Sequence, residues 1–370
     1  MTISTKAMVG LVGATTALAM AGCGSDSSSD GSASSGSSTA KGGKIALLLP
    51  ESKTTRYESQ DKPLFEAAVK ASCSDCQILY SNADQDASKQ QQQAEAAITN
   101  GAKVIVLDPV DAASAGSIVK RAAQSKIPVI SYDRLVAGGS KPDYYISFDN
   151  ETVGKLQATS LVSQLGDAKG KQIVMINGAP TDGNAALFKK GAHSVLDSSG
   201  VKIGKEYDTP DWSPDEAQNE MDQAITALGK NNIDGVYTAN DGTAGGAIAA
   251  MKSAGMDPTK IPSTGQDAEL AGVQRVVAGE QGMTVYKAIK PEAEDAAKLA
   301  VSLVQGKGAP AGLITGTTNN GTADIQSIIL TPVAVTKDKV KDTIIKDGFL
   351  KASDICTGTY AKACTALGIS

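Results

Sequence analysis

The chain contains 370 residues, which is enough for two α/β lobes that each have a hydrophobic core. Its formal net charge is −5 and both signs are well mixed, which argues against a nucleic-acid partner because such a partner requires a basic surface. The one histidine, His193, would have to serve any catalytic triad, Cys-His pair or histidine-containing metal site. It follows Lys-Lys-Gly on a predicted helix, and we expect it to be a solvated or capping residue.

The first 23 residues have the pattern of a targeting signal. A short segment with one lysine, residues 1–6, precedes the apolar run 7–19, which is too short to span a membrane comfortably. The closing sequence Met20-Ala21-Gly22-Cys23 resembles a lipoprotein signal, whose cysteine is acylated and becomes the mature N-terminus. We therefore predict a lipoprotein signal peptide at residues 1–23, with Cys23 as the lipidation site. An ordinary cleaved signal peptide is the alternative.

Residues 24–43 are rich in serine and glycine and contain almost no apolar side chains. Such a segment does not bury a core, and we predict a disordered tether. A flexible chain of this length spans on the order of 25 Å. The protein is therefore expected on the extracytoplasmic face of the cell membrane, held there by its lipid anchor.

Four further cysteines follow the tether: Cys73, Cys76, Cys356 and Cys364. An even number of cysteines in an exported protein suggests disulfide bonds. We predict local pairing, Cys73 with Cys76 and Cys356 with Cys364. A redox-active CxxC motif is the alternative for the first pair, but its Ser/Asp-rich turn lies between a helix and a strand rather than at a strand-to-helix corner.

Strands and helices alternate through the first half of the chain. The predicted strands are residues 44–50, 78–82, 104–107, the apolar run before Asp133, and 144–148, and the predicted helices are residues 63–72, 86–100 and 112–124. Residues 51–62 form a polar loop. The alternation indicates βαβ units and a parallel sheet, and we interpret the strand 144–148 as a crossing to a second lobe.

The same pattern begins again in the second half. The predicted helices are residues 152–165, 184–198, 215–228 and 245–254, and the predicted strands are residues 172–176, 202–207 and 235–238. Both halves place an acidic residue after the same two strands, which predicts two similar lobes facing one cleft. A strand at 283–286, a helix at 292–305, a loop at 306–322 and strands at 327–330 and 333–335 then suggest further crossings that form a hinge.

Polar side chains follow the predicted strands where ligands bind in open α/β sheets. Carboxylates, amides, an arginine fork and a lysine can satisfy sugar hydroxyls, which donate and accept hydrogen bonds at once. An aromatic ring, here Trp212 or Tyr57, can cover the C–H face of a sugar ring. The candidate polar residues are Asp133, Arg134, Asn240, Asp241, Asp267 and Lys287. Each of them could instead be a helix cap or turn residue, and Asp241 is the one best suited to capping or to supporting a neighbour.

No catalytic motif stands out in the sequence. It contains no G-x-S-x-G, no Walker loop and no spaced set of metal ligands. The glycine-rich residues 242–246 follow a strand but lack a G-x-G-x-x-G frame. We therefore predict a binding protein without cofactor, metal or enzymatic activity.

Several motifs together resemble one family. They are V-I-S-Y-D-R, Y-I-S-F-D-N-E-T-V-G-K-L-Q-A, A-N-D-G-T-A-G-G-A-I, G-Q-D-A-E-L-A-G and M-T-V-Y-K. From residue 43 to about residue 350, the chain resembles the type I periplasmic sugar-binding proteins of ABC importers, and most of all their D-xylose-binding branch. The resemblance implies ligand contacts at Asp133, Arg134, Asn184, Trp212, Asn240, Asp267 and Lys287. The loop R-Y-E-S-Q-D-K differs in length and aromatic type from the R-W pattern of the xylose branch, and it adds Arg56, Tyr57 and Lys62.

The predicted architecture is α/β, with two similar doubly wound parallel-sheet lobes joined by a multi-strand hinge. Lobe 1 comprises residues 44–148 and 288–328, lobe 2 comprises residues 149–287 and 329–350, and residues 351–370 form a C-terminal extension. The predicted function is that of a monomeric, lipid-anchored receptor that closes on a xylose-like monosaccharide and delivers it to an ABC permease. Two alternatives are a sugar sensor for a membrane kinase and a secreted glycosidase that uses Asp133 and Asp267. The second is disfavoured, because Arg134 should lower the pKa of Asp133.

Overall fold

The computed structural model describes residues 42–369. The predicted signal peptide, the lipidation site Cys23 and the tether up to residue 41 lie outside the described residues. Within the described range, no helix combines the length and the apolar character needed to cross a membrane.

Strands and helices alternate through the described residues. The strands are β1 (Lys44–Leu49), β2 (Gln77–Asn82), β3 (Ala102–Leu107), β4 (Val129–Tyr132), β5 (Tyr144–Phe148), β6 (Gln172–Asn177), β7 (Lys202–Asp208), β8 (Gly235–Thr238), β9 (Thr284–Tyr286), β10 (Gly316–Asn319), β11 (Asp324–Leu330) and β12 (Val333–Val335). The α-helices are α1 (Lys62–Ser72), α2 (Ala87–Thr99), α3 (Gly116–Gln124), α4 (Asn150–Leu165), α5 (Gly183–Ser199), α6 (Pro214–Leu228), α7 (Asp241–Ser253), α8 (Leu270–Ala278), α9 (Ile289–Val304), α10 (Ala352–Ile355) and α11 (Ala361–Ala366).

The first lobe is built on a seven-stranded sheet with the order β10-β11-β5-β4-β3-β1-β2. All neighbouring strands are parallel except β10, which pairs antiparallel with β11. Helices α1 and α9 pack on one face through Phe65, Val69 and Ala297, and α2 and α3 cover the other through Ala94 and Ile118. The order β2-β1-β3-β4-β5 reverses between β1 and β3, which is the point where doubly wound sheets bind ligands.

The second lobe repeats this plan on a smaller sheet with the order β7-β6-β8, in which all strands are parallel. A single bridge between Val236 and Ser263 extends it by one position. Helices α4 and α5 bury Leu161 and Phe188 against one face, while α6 and α7 bury Met221 and Met251 against the other. The antiparallel pair β9–β12 completes the lobe. The predicted fold class is therefore confirmed.

Three connections join the lobes: β5 to α4, β9 to α9, and β11 to β12. Two of them are tied together, because the backbone N–H of Asp149 donates to the carbonyl of Leu330 at 3.0 Å. The sequence interpretation of strand 144–148 as the crossing itself needs correction, since all of β5 pairs within the first sheet and the crossing follows Phe148. Likewise β11 pairs with β5 as far as Leu330, beyond the predicted lobe boundary at residue 328.

Helix α8 and strand β10 are among the elements that were not predicted. Helix α8 carries Val273, Val276 and Val277 on its buried face and ends at Gly279, which adopts a left-handed conformation with φ 77°. Strand β10 lies inside the loop predicted at 306–322. Its Gly-Thr-Thr-Asn sequence has no apolar alternation because it forms the exposed edge of the sheet, so the pattern gave no strand signal.

The C-terminal segment is part of the second lobe rather than a separate extension. Ile355, Cys364 and Ile369 are buried in one cluster with Val273 and Val276 of α8. The structure contains disulfide bonds between the same cysteines that the sequence analysis paired, one at the end of α1 and one in this segment.

Candidate functional site

The carboxyl ends of strands from both lobes surround one cavity of about 250 Å³. Nine of the ten predicted ligand-binding residues line it: Arg56, Tyr57, Asp133, Arg134, Asn184, Trp212, Asn240, Asp267 and Lys287. Thr54, Asp182, Phe188 and Gln266 complete the lining.

Asp133 lies at the centre of the charged groups. Its Oδ1 is 3.4 Å from Arg56 Nη1 and 3.7 Å from Lys287 Nζ, and Tyr57 Oη donates to its Oδ2 at 3.1 Å. Burial alone would raise the pKa of this carboxyl, but Arg56, Lys287 and Arg134 outweigh burial and lower the pKa to about 2. Asp133 is therefore an ionised hydrogen-bond acceptor, and three cations rather than Arg134 alone keep it so.

Asp267 is the second carboxylate of the cavity. Its Oδ1 lies 3.1 Å from Lys287 Nζ and 3.7 Å from Arg56 Nη1, so the same two cations bridge both acids. Burial alone would lower the pKa of Lys287, but Asp133 and Asp267 raise it. Asp133 and Asp267 both have a positive φ, 53° and 89°, a conformation that non-glycine residues rarely adopt. Such strain is typical of binding sites, where surrounding contacts hold a side chain in place.

Two carboxylates fix the guanidinium of Arg56 on the side that faces away from Asp133. Its Nε and Nη2 donate to the two carboxylate oxygens of Asp61 at 2.8 and 2.6 Å, and Nη2 also donates to Glu292 Oε2 at 2.9 Å. A bidentate arginine–carboxylate pair fixes the plane of the guanidinium. The remaining Nη1 then faces Asp133 and Asp267, so the cation is oriented before any ligand binds.

Arg134 connects the lobes. Its Nε is 3.0 Å from Asp182 Oδ2, and its Nη2 donates to Tyr57 Oη at 3.1 Å. The Nε–H nevertheless lacks a well-aligned acceptor among the described residues. Glu51 and Asp108 flank the guanidinium at 3.8 and 3.6 Å, and burial raises the pKa of both acids against the lowering effect of Arg134.

An aromatic wall closes one side of the cavity. Trp212 is 4% exposed, and its ring meets Phe188 edge to face with centroids 6.3 Å apart. Its Nε1 donates to Asp182 Oδ2 at 3.1 Å, which links the wall to Arg134. Space for the indole depends on Gly178, because a Cβ at that position would lie 2.0 Å from the ring.

Two asparagines at the starts of helices place amide groups at the cavity, Asn240 as the N-cap of α7 and Asn184 in the first turn of α5. Asn240 Oδ1 accepts from the backbone N–H of Thr243 at 2.8 Å, in a capping box at the start of α7. Asn184 Nδ2 donates to the carbonyl of Asp133 at 3.0 Å across the cleft. Capping and ligand contact are therefore compatible roles, and the sequence analysis had treated them as alternatives.

Lys62 is the one predicted site residue that the structure places elsewhere. Its Nζ lies 3.9 Å above the ring of Tyr80 and 3.4 Å from Glu58 Oε2, and the side chain is 30% exposed. Lys62 begins α1 on the outer side of the loop whose inner residues are Arg56 and Asp61. Lys62 therefore does not line the cavity that the other nine predicted residues surround.

Asp241 supports the site without lining it, as its sequence position suggested. It accepts from Gln281 Nε2 at 2.7 Å and from the backbone N–H of Glu269 at 3.0 Å. Burial, as the main cause, raises its pKa to about 7. Gly265 and Gly272 leave room for it, since an added Cβ would lie 2.1 or 2.2 Å from its carboxylate.

Three cavity atoms make no well-aligned hydrogen bond among residues 42–369: Gln266 Oε1, and Arg134 Nε and Asp267 Oδ1, which each face an opposite charge at 3.0–3.1 Å. They comprise one donor and two acceptors, and burying such atoms without a partner is costly. The arrangement matches a small uncharged molecule that both donates and accepts. A sugar with vicinal hydroxyl groups has this chemistry.

Comparisons with known proteins agree with this geometry. Residues 45–308 match a family model described as a periplasmic binding protein domain. The chain belongs to the periplasmic binding protein family. It is 39% identical to the D-xylose-binding periplasmic protein of Escherichia coli (strain K12) over 85% of this chain and 93% of that protein, and 37% identical to the protein of the same name from Haemophilus influenzae over 85% and 92%.

A solved relative shares the fold of this family member. It is the carbohydrate transporter solute binding protein of Chloroflexus aurantiacus in complex with D-glucose, with a TM-score of 0.76, 30% identity and coverage of 84% of this chain and 97% of that one. The type I fold and the family resemblance predicted from the sequence motifs are thus confirmed.

Four cavity residues were missed by sequence reasoning. Asp182 had a detectable signal, because it follows β6 and caps α5 by accepting from the backbone N–H of Asn184 at 2.8 Å. Gln266 precedes Asp267 within a motif that the analysis already used. Thr54 and Phe188 carried no distinguishing pattern, since a threonine in a loop and an apolar helix residue occur in any α/β protein.

Proposed function

We propose that this protein binds one neutral monosaccharide, an aldose such as D-xylose or D-glucose, in the cavity between its lobes. The observation that carries the proposal is the pairing of Asp133 and Asp267 with shared cations in a cavity that the indole of Trp212 also lines. Carboxylates accept from sugar hydroxyls, cations donate to them, and an indole covers C–H groups. The names of the relatives, one binding D-xylose and one crystallised with D-glucose, support the same ligand class.

The charge balance of the cavity favours an uncharged ligand over an anion. Arg56, Arg134 and Lys287 each lie within 3.1 Å of a carboxylate oxygen, so their charge is already compensated. A phosphate or carboxylate ligand would also meet the ionised Asp133 directly. Like charges in a buried site repel strongly, which disfavours such ligands.

Closure of the lobes is part of the proposed mechanism. Contacts between the lobes surround the cavity: Asn184 Nδ2 donates to the Asp133 carbonyl at 3.0 Å, and the Ala112 N–H donates to the Thr181 carbonyl at 3.1 Å. These contacts require a closed cleft. A sugar that bridges both rims would stabilise that state, and the state would in turn bury the sugar.

The protein is further proposed to be a monomeric receptor that delivers its sugar to an ABC permease. Cys23 would carry the lipid anchor and hold the protein at the extracytoplasmic face of the membrane. No cofactor or enzymatic step is part of this function. A role as a sugar sensor for a membrane kinase uses the same site, and deletion of the cognate permease separates the two roles, since only transport would stop.

The direct test is isothermal titration calorimetry with D-xylose, D-glucose, D-galactose and D-ribose. We expect one sugar per protein and a smaller radius of gyration in small-angle scattering at saturation. Asp133→Asn should weaken binding, while Asp197→Asn, which changes an exposed carboxylate beside His193, should not. Absence of heat with every aldose, together with an unchanged radius, would refute the proposal.

The anchor is tested separately. Mass spectrometry of the membrane fraction should find the mature N-terminus acylated at Cys23. Cys23→Ser should release the protein from the membrane without altering sugar binding. Recovery of the unmodified protein from the membrane at wild-type levels would contradict the lipid anchor and leave the binding function standing.

A further inference from the structure

A further contact joins the lobes outside the ligand cavity. Glu269 Oε1 accepts from the backbone N–H of Thr55 at 2.8 Å. Thr55 immediately precedes Arg56, and Glu269 follows Asp267 by two positions. The contact therefore ties together the two segments that carry a cation and a carboxylate of the site. Glu269 itself does not line the ligand cavity.

The position of Glu269 is fixed from within the second lobe. It is the N-cap residue of α8, and its backbone N–H donates to Asp241 Oδ2 at 3.0 Å. Glu269 is 9% exposed and borders a separate cavity of about 900 Å³, whose walls include Gln60 of the first lobe and Leu350 of the second. This cavity gives the carboxyl group access to protons from solvent.

The charged groups around Glu269 leave it without a cation of its own in the described part of the chain. The acids beside it are Asp241 and Asp267. Arg56 is engaged by Asp61 and Glu292, Lys287 lies 3.1 Å from Asp267, and Arg275 donates to the Asp241 carbonyl and to Gln281. The other side chains that line this second cavity near Glu269 are uncharged: Ser59 and Gln60 of the first lobe, and Phe349 and Leu350 of the second. Closing the cleft thus buries this carboxyl next to two acids.

We propose that Glu269 is a positioning residue that latches the closed cleft through Thr55, and that closing this latch takes up one proton on the Glu269 carboxyl. The inference rests on the proposed function, because it assumes that sugar binding closes the lobes. Either protonation state can accept the Thr55 N–H, so the latch holds in both. Only the electrostatic cost of closure depends on pH.

The sign follows from linkage. Burial, then Asp241 and Asp267, raise the pKa of Glu269 to about 8 in the closed cleft. In an open cleft the carboxyl loses its contact with Thr55 and is hydrated, so its pKa lies nearer the ordinary value of 4.5, while Asp241 and Asp267 stay beside it in the same lobe. Stabilisation of the closed state is then complete below the open-state value and is lost as the pH rises through about 8. For one proton the affinity changes by at most tenfold per pH unit.

The experiment is calorimetric titration with D-xylose and D-glucose at pH 6.0 and 8.5, in buffers with different heats of ionisation. We expect binding to be more than tenfold tighter at pH 6.0, with uptake of about one proton per sugar near pH 7. Glu269→Gln keeps the acceptor for Thr55 but does not ionise. It should bind with the low-pH affinity at both pH values and take up no proton at this position.

Two control variants distinguish a specific effect of the Glu269 latch from a general loss of folding. Glu280→Gln changes a glutamate just beyond α8 that pairs with Lys252 at 2.8 Å, and it should keep the wild-type pH dependence. Glu269→Ala removes the acceptor and should weaken binding at both pH values, whereas Glu269→Gln should restore it. A purely structural role would make both variants equally defective.

The failures are distinguishable. Sugar binding with the same pH dependence in Glu269→Gln as in the wild type would overturn the latch and leave the proposed function intact. Absence of binding to any sugar would refute the function. In that case the radius of gyration of the ligand-free protein tests the latch. The wild type should have a smaller radius at pH 6.0 than at pH 8.5, whereas Glu269→Gln should have the same radius at both pH values. Equal radii in the wild type would overturn the latch.

Discussion

Arg134 Nε lies 3.0 Å from Asp182 Oδ2, and the two side chains belong to different lobes. Mutation of Arg134 would therefore leave Asp182 without its cation. Asp133 would not lose its charge compensation, because Arg56 and Lys287 remain beside it. Removing one member of a buried ion pair typically costs about 3–5 kcal/mol. Burial also raises the pKa of Asp182 against the lowering effect of Arg134, so protonation relieves part of this cost, and Arg134→Ala should weaken sugar binding by at least about tenfold in calorimetric titration.

Circular dichroism should show a folded Arg134→Ala variant, because burial raises the pKa of Glu51 and Asp108 and the fold can hold them neutral. Arg134→Lys tests geometry, since an ammonium does not reproduce the donors to Tyr57 and Asp182 in one plane. Its affinity should also fall. Wild-type affinity in Arg134→Ala would remove Arg134 from the site.

Gly178 determines where the indole of Trp212 lies. A Cβ at residue 178 would be 2.0 Å from the ring, so Gly178→Ala must displace it. Overpacking of this kind costs about 1–3 kcal/mol, and we expect sugar binding to weaken about tenfold or more. Gly183→Ala is the matched control, because its Cβ would meet Ala112 only at 4.0 Å.

The readout is the emission of Trp212, the only tryptophan in the chain. Its spectrum should change when the wild type is saturated with sugar, and Gly178→Ala should shift the spectrum of the ligand-free protein. An unchanged wild-type spectrum at saturation would place Trp212 outside the binding site.

Much of the cavity was predictable because strand ends in doubly wound sheets converge. Asp133 and Asn240 follow the short buried strands β4 and β8, and the fold brings such strand ends together without any knowledge of side-chain contacts. Trp212 and Asn184 came from family motifs instead. The strands themselves were predictable to within a few residues, since buried parallel strands are short and continuously apolar.

The other features of the site depend on contacts between residues distant in sequence, which a local sequence pattern does not predict. Lys62 and Arg56 lie in one polar loop, but the helical turn Tyr57–Asp61 directs one to the cavity and the other to Tyr80. Glu269 meets Thr55 across 214 positions of sequence. Whether a capping residue also lines the cavity, as Asp182 does, depends on how the two lobes meet.

Glycosidase activity is not expected. A general acid must be protonated near neutral pH, whereas Arg56, Lys287 and Arg134 overcome the effect of burial and hold the pKa of Asp133 at about 2. Chromogenic pentosides and hexosides should therefore show no turnover at pH 5–8, even where the parent sugar binds. Turnover that Asp133→Asn abolishes would contradict this prediction.

Asp241 makes stability depend on pH. Burial, as the main cause, raises its pKa from the ordinary 3.8 to about 7 in the folded protein. A raised pKa means that the stabilisation is complete below 3.8 and is lost as the pH rises through 7. The midpoint of thermal unfolding should therefore fall by a few degrees between pH 5.5 and 8.5 without ligand.

Asp241→Asn keeps the shape but does not ionise, so its unfolding midpoint should vary less over the same range. Its overall stability should be lower, because an amide NH₂ would face the donors Gln281 Nε2 and the Glu269 N–H. A variant with the full wild-type pH dependence would assign the effect to other buried acids.

The disulfide Cys356–Cys364 should stabilise the site through α8. Cys364 and Ile355 are buried against Val273 and Val276 of that helix, which begins next to Glu269. Loss of a crosslink of this loop length costs about 2–3 kcal/mol in the chain-entropy view. Changing both cysteines to serine should lower the free energy of unfolding by that amount in urea and also weaken sugar binding.

The same double change at Cys73 and Cys76, at the far end of α1, should affect stability alone. Equal sugar affinities in the two variants would show that the C-terminal segment does not brace the site.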